Sequence, residues 1–137
     1  MEISNRDKSY KDDHNVTWSC EYHCVFCSKY TRNSLDEEVQ KRLSQVILNG
    51  QSKLEYELLG IEMTLNHVHL ILKVNPLIGI YETVTRIKNL TSNILRSEFP
   101  KLKSALPSLW THHRLISSCG SVSISDINNY IESQRGK

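Results

Sequence analysis

The chain has 137 residues, 39% hydrophobic and 23% charged, with a formal net charge of +2. That length fits one domain with a real core, and apolar runs of only a few residues exclude a membrane-spanning helix. The opening MEISNRDKSYKDDHN lacks the apolar stretch of a secretory signal, so a cytoplasmic location is expected.

Residues 1–19 show no periodicity and mix both charges, which predicts a flexible N-terminal tail ahead of a single domain over 20–137. CEYHCVFCSKY (20–30) reads as a strand, rich in aromatic and β-tolerant residues. Its Cys20, His23, Cys24 and Cys27 raise the question of zinc. On a strand, however, this spacing divides the thiols between two faces, and no second C-x2-C follows, so small core and surface thiols are the better reading. Cys119 is the fourth cysteine.

Ser34 followed by Glu37 fits a capping box, and Asp36, Glu37 and Glu38 suit the positive end of a helix dipole. Val39, Leu43, Val46 and Ile47 recur at helical spacing to about residue 50. KLEYELLGIEMTL (53–65) alternates in two phases around Gly60, which predicts a strand with a bulge. A short turn at Asn66 leads into TLNHVHLILKV (64–74) and closes a hairpin.

With period two, Val68, Leu70, Leu72 and Val74 point one way, and His67, His69, Ile71 and Lys73 point the other. The first set is a core face, which pins the register. The two histidines must share the opposite face, with Cα atoms roughly 6.7 Å apart at strand rise. A pair so placed is either solvated surface or the start of a metal site, and the spacing does not choose between them.

Pro76 and Gly79 mark a loop. Ile80, Val84, Ile87, Thr91 and Ile94 form the stripe of a second helix that Pro100 ends, while Arg86, Lys88 and Arg96 lie off it. LWTHHRLISSC (109–119) reads as a further strand, and SISDINNYIESQ (123–134) as a last helix. On that helix Ile124, Ile127 and Ile131 make the apolar stripe, with Tyr130 and Gln134 together beside it. By itself this could be an amphipathic tail whose tyrosine merely packs.

Charge is uneven. Residues 1–72 hold 8 Lys/Arg against 11 Asp/Glu, and residues 73–137 hold 9 against 4. A basic second half suits a polyanion, although ordinary solvated faces also reach such values. The order strand, helix, strand, strand, helix, strand, helix predicts an α+β, ferredoxin-like or RRM-like sandwich. Two helices cover one face of an antiparallel sheet, and a C-terminal helix carries the tyrosine.

NHVHLIL followed about sixty residues later by YIESQ resembles the single-tyrosine HUH transposases of small insertion sequences, the TnpA family. EYHCVFCSKYTR is similar to that family's first strand, and IKNLTSNILRSEFP and the LW at 109–110 look like further landmarks. The resemblance covers roughly residues 20–135. It implies that Tyr130 attacks a phosphodiester of single-stranded DNA, forming a 5′-phosphotyrosine link, while His67, His69 and Gln134 hold a divalent metal, Mg²⁺ or Mn²⁺. It also implies hairpin-bearing element ends as the substrate and a homodimer with composite sites. Residence is then prokaryotic and cytoplasmic, on the nucleoid during action. Lys29, Arg86, Lys88 and Arg96 are the candidates for phosphate contact. No nucleotide cofactor is expected, because transesterification conserves the bond energy and the chain has no P-loop pattern.

Some positions depart from the family pattern. Asn66 stands where an aspartate usually precedes the first histidine, one turn residue for another. Asn89 stands where a glycine often follows the helix lysine, and His112, His113 and Arg114 replace a segment that often reads differently. A replication initiator or relaxase would share the chemistry but is usually larger. An RNA-binding module on a similar sandwich would carry aromatic residues where His67, His69 and Ile71 stand. An inactive copy is disfavoured by the presence of both histidines, Tyr130 and Gln134.

Overall fold

A computed structural model describes residues 10–13, 15–104, 106–118 and 124–137. Strands β1 (Lys11–Asp13) and β2 (Val16–Trp18) form a small antiparallel hairpin. The sequence predicted only irregular chain here. Asn15 takes the left-handed conformation at the turn (φ 66°), which asparagine tolerates, and Trp18 is buried. A three-residue strand of charged residues offers no apolar alternation to detect.

The main sheet contains β3 (Glu21–Cys27), β4 (Tyr56–Met63), β5 (His67–Val74) and β6 (Leu115–Ser118) in the order β4-β5-β3-β6, every pairing antiparallel. The helices are α1 (Glu37–Asn49), α2 (Gln51–Leu54), α3 (Ile80–Glu98), α4 (Pro100–Ser104) and α5 (Ile124–Ser133). The path β3-α1-β4-β5-α3-β6 is the ferredoxin-like one predicted.

Alternation decides which face meets the helices. Val68, Leu70 and Leu72 are fully buried and Val74 nearly so, joined in one core by Cys24 and Phe26 of β3. Val39, Leu43 and Ile47 of α1 and Val84, Ile87 and Leu95 of α3 cover them. The buried stripe of α3 ends on Leu95, with Ile94 only half-buried. The bulge lies between Leu58 and Gly60, where a Cβ on Gly60 would approach Ile71 Cδ1 to 3.1 Å.

Three boundaries differ from expectation. The cap of α1 is Asp36, whose Oδ1 accepts from Val39 N at 3.0 Å, in place of Ser34. An extra turn, α2, follows Gly50 and ends on Glu55 in the left-handed region (φ 58°). Among the described residues of the segment 109–119 only Leu115–Ser118 is strand. Trp110 makes a lone antiparallel bridge to Ser28, Thr111 N donates to Cys27 O at 2.9 Å, and the chain leaves the β3 edge only at His112 to Arg114.

Asp36 also pairs with Lys101, and these bonds hold its carboxyl below the usual range. Asp36→Ala should cost about 1 kcal/mol, or about 4 °C in Tm. A carboxyl held low contributes stability above its unfolded pKa and loses that contribution as pH falls. The gap to wild type should therefore narrow below about pH 4 in thermal melts.

Candidate active site

The antiparallel register builds the face opposite the helices. Residues paired across strands project to the same side, so His23, Val25 and Cys27 stand beside Ile71, His69 and His67 respectively. From β4, Glu62 stands opposite His69. Both members of the histidine pair are half-buried on this face, as alternation predicted.

His67 is held from behind. Its Nδ1 donates to Asn66 Oδ1 at 2.9 Å, and the Thr64 hydroxyl lies 2.7 Å from the same nitrogen. With the proton on Nδ1, the Nε2 lone pair is available. Asn66 is thus more than a turn residue, because it sets the tautomer of the first histidine. His69 Nε2 lies 3.0 Å from His23 Nδ1, with the rings tilted 34°. A cation bound through that His69 nitrogen would have to replace this bond. Burial is the main cause holding both His67 and His69 below the usual imidazole range, and Glu62 acts weakly the other way. Both rings are therefore neutral near pH 7.

The C-terminal residues reach the same end of the sheet. Tyr30 N donates to Lys137 O at 2.6 Å and Thr31 Oγ1 to Gln134 O at 2.7 Å, just beyond the end of β3. Gln134 is only 3% exposed, and its Oε1 has no hydrogen-bond partner. The Tyr130 hydroxyl is also buried and partnerless. Burial above all, then the nearby Cys27 thiol, push the phenol well above its usual range, while Thr111 and Arg114 pull the other way. The Thr111 hydroxyl approaches the phenol without completing a hydrogen bond. Cys27 is itself buried and pushed up to about 11, and it stands across from His67. Tyr130 therefore lies close to its own chain's histidine strand.

Two buried oxygens without partners, one on α5 and one in the turn that follows its last residue Ser133, are costly, and such groups call for an explanation. A bare amide oxygen at the end of the sheet that carries His67 is a donor suited to a hard cation. These residues fit a divalent metal. Among the described residues no group of three His, Cys, Asp or Glu stands together, so Gln134 would have to complete the ligand set.

The four candidate phosphate contacts occupy different settings. Lys29 is half-buried, its ammonium 5.2 Å from the Tyr30 ring, and Arg86 pairs with Glu82 at 3.2 Å on the outside of α3. Arg96 donates to Leu106 O at 3.0 Å. Lys88 is turned inward, with Nζ donating to Thr111 O at 2.6 Å and His113 O at 3.3 Å. Burial brings its pKa down to about 8. It ties the 111–113 segment to α3. The sequence missed His23, Thr111 and Arg114 as neighbours of the site. Only the pairing of His23 with Ile71 could have revealed the first, and pairing register is a long-range property.

α5 is mostly exposed, makes sparse contact with the other elements, and leaves Ile127 and Ile131 half-covered. The small residues of SSCGSVS (117–123), Gly120 among them, suggest by composition a hinge ahead of α5, and this segment lies largely outside the described residues. No described helix is long and apolar enough to cross a membrane.

The family described as "Transposase IS200 like" matches residues 16–134. The chain is 28% identical over 129 residues to the ISDra2 transposase TnpA of Deinococcus radiodurans, covering 93% of this chain and 92% of that protein. It is 26% identical over 86 residues to the transposase for insertion sequence element IS200 of Salmonella typhimurium, covering 63% and 57% of the two chains. A crystal structure of a Deinococcus radiodurans R1 protein, provisionally assigned as a transposase, superposes with a TM-score of 0.81 at 26% identity. That match covers 93% of this chain and 99% of the other. A REP-associated tyrosine transposase bound to a REP hairpin shares the fold, with a TM-score of 0.53 at 11% identity over 95% of this chain and 69% of that one.

Proposed function

Because the chain belongs to the IS200-like transposase family, we propose that it cuts and rejoins single-stranded DNA at hairpin-bearing element ends, with Tyr130 as nucleophile. The observation that carries this reading is the pair of buried, partnerless oxygens on the C-terminal segment, Tyr130 OH and Gln134 Oε1. They are a cost in the resting protein and an asset once substrate and cation arrive.

His67, His69 and Gln134 are the residues that would hold Mg²⁺ or Mn²⁺. When bound, the cation supplies Lewis-acid polarisation of the scissile phosphate. Tyr130 forms a bond to phosphorus as the bond to the 3′ oxygen breaks, and the phenolic proton ends on the freed 3′-OH. Attack by a second strand's 3′-OH reverses the step and frees the tyrosine. The positive charge of Arg114 favours the ionised phenol, against the burial that disfavours it. The test is incubation of the protein with Mg²⁺ and single-stranded oligonucleotides carrying the element's ends. A protein–DNA adduct that survives denaturation supports the reading, and its absence with every end sequence rejects it.

Two further expectations belong to this reading. Lys29→Ala should flatten the slope of log affinity for single-stranded DNA against log salt by about 0.7, the share of one phosphate contact. Lys88→Ala should leave that slope unchanged, because its ammonium is turned inward. Filter binding at several salt concentrations distinguishes the two. Asn66→Ala should weaken Mn²⁺ binding about 10- to 100-fold, because the His67 tautomer is no longer set. Asn66→Asp should preserve or tighten it, and calorimetric titration without DNA reads both.

The sparse packing of α5 and its half-covered Ile127 and Ile131 also favour a homodimer. In this structure the segment after α5 is bonded to its own chain through Tyr30 and Thr31, so α5 would have to exchange between chains to complete the histidine site of its partner.

A further inference from the structure

Between α3 and the segment 108–114 lies a cleft of ≈ 290 Å³, lined among others by Lys88, Asn89, Trp110, Thr111, His112 and Arg114. Among the described residues no carboxylate lines it, so its charged side chains are all cationic. A space of this size is about that of one nucleotide and sits at the lower end of ligand sites.

The walls are fixed before any ligand arrives. Arg114 Nη1 donates to Thr85 Oγ1 at 2.6 Å and Tyr81 O at 3.1 Å, and its guanidinium lies 4.4 Å from the Tyr81 ring centre, which fixes it as one wall of the cleft. Lys88 clamps the carbonyls of Thr111 and His113. The Trp110 indole donates to Thr91 Oγ1 at 3.0 Å and packs edge-on against Phe26, with ring centroids 4.7 Å apart. At the rim, Asn89 and His112 are exposed, and neither side chain makes a hydrogen bond with the described residues. An amide and an imidazole free to donate and accept are the groups that read base edges.

Two of its walls also act on the Tyr130 phenol: Thr111 lies beside it, and the positive charge of Arg114 favours its ionised form. The geometry points to a seat for the nucleotide next to the bond that Tyr130 cuts, with Arg114 on its phosphate and Asn89 and His112 on the edge of its base. This rests on the DNA-cutting reading and deepens it. Asn89 and His112 are then the residues that choose a base.

The first test uses the Tyr130→Phe full-length protein, so that no chemistry is required. Amide and side-chain NMR resonances are followed during titration with short single-stranded oligonucleotides and, separately, with inorganic phosphate. The oligonucleotide should shift Asn89, His112, Arg114 and the Trp110 indole, whereas phosphate alone should shift Arg114 and leave Asn89 and His112 in place. Equal shifts from both ligands mean an anion site without base reading, and no shift in the cleft means no site. Either result overturns the proposal, whatever the adduct assay gives.

The second test varies the base on each side of the cleaved bond and measures adduct yield. Wild type should prefer one base at one position by about ten-fold, the scale of a good base-edge contact. The double variant Asn89→Gly, His112→Ala should lose most of that preference while still forming adduct. An unchanged preference in the variant overturns the assignment. Failure of adduct formation with wild type on every substrate rejects the DNA-cutting reading instead, and leaves the NMR result to decide whether the cleft binds a nucleotide.

Discussion

Tyr130→Phe should abolish the covalent protein–DNA adduct, lowering strand cleavage by roughly 10⁴-fold or more, the scale expected when a nucleophile is removed. It should do so without loss of stability. The Tyr130 hydroxyl is buried with no hydrogen-bond partner, so its removal sacrifices no bond and relieves a desolvation cost of about 1–3 kcal/mol. Thermal melts should therefore give a Tm equal to or a few degrees above wild type. Protection of stability at the expense of function is the signature of a residue kept for chemistry. Adduct formation by the Phe variant would remove Tyr130 from the mechanism. A marked fall in Tm would mean instead that the phenol is a packing and bonding element.

The second large effect concerns the histidine pair and the assembly. His67→Ala and His69→Ala should each abolish cleavage, and EDTA should do the same to wild type. Neither ring belongs to the core that Val68, Leu70 and Leu72 build with the helices, so circular dichroism should show an intact fold. Equal activity in EDTA, or unchanged cleavage by both variants, would sink the metal role. The same proteins decide how chains share the site. Inactive His67→Ala mixed with inactive Tyr130→Phe under subunit exchange should recover activity if α5 crosses between chains, because one of the two composite sites is then whole. If α5 serves its own chain, no mixture recovers activity, since every site keeps one defect. The half-covered Ile127 and Ile131 favour recovery, and the bonds of Tyr30 to Lys137 and of Thr31 to Gln134 within one chain favour none, so the mixture decides between them.

Periodicity carried much of the architecture. Period two along His67–Val74 separated the fully buried Val68, Leu70 and Leu72 from the two histidines, because a strand projects alternate side chains to opposite faces whatever it pairs with. The 3.6-residue recurrence of Val39, Leu43, Val46 and Ile47 located α1 for the same local reason, and the two-phase alternation around Gly60 located the bulge. The last helix was legible in the same way, but it stops at Ser133, one residue short of the expected end, so Gln134 lies in the turn beyond Tyr130's helix.

Tertiary structure decided everything that depends on which distant segments meet. The register of β3 against β5 put His23 on His69 and Cys27 beside His67, and nothing in either strand alone states that register. Lys88 read as a surface cation because its neighbours on α3 do not reveal that the 111–113 carbonyls will fold over it. Asn66 read as a turn residue until the hairpin brought its amide onto the His67 ring. The cleft exists only because residues 109–111 bond to the end of β3, residues 112–114 bulge off that edge, and Trp110, Lys88 and Arg114 tie the segment to α3. Local backbone geometry repeats and so leaves a pattern in the sequence. Contacts between segments far apart in the chain depend on the shape of the whole, and no short stretch encodes them.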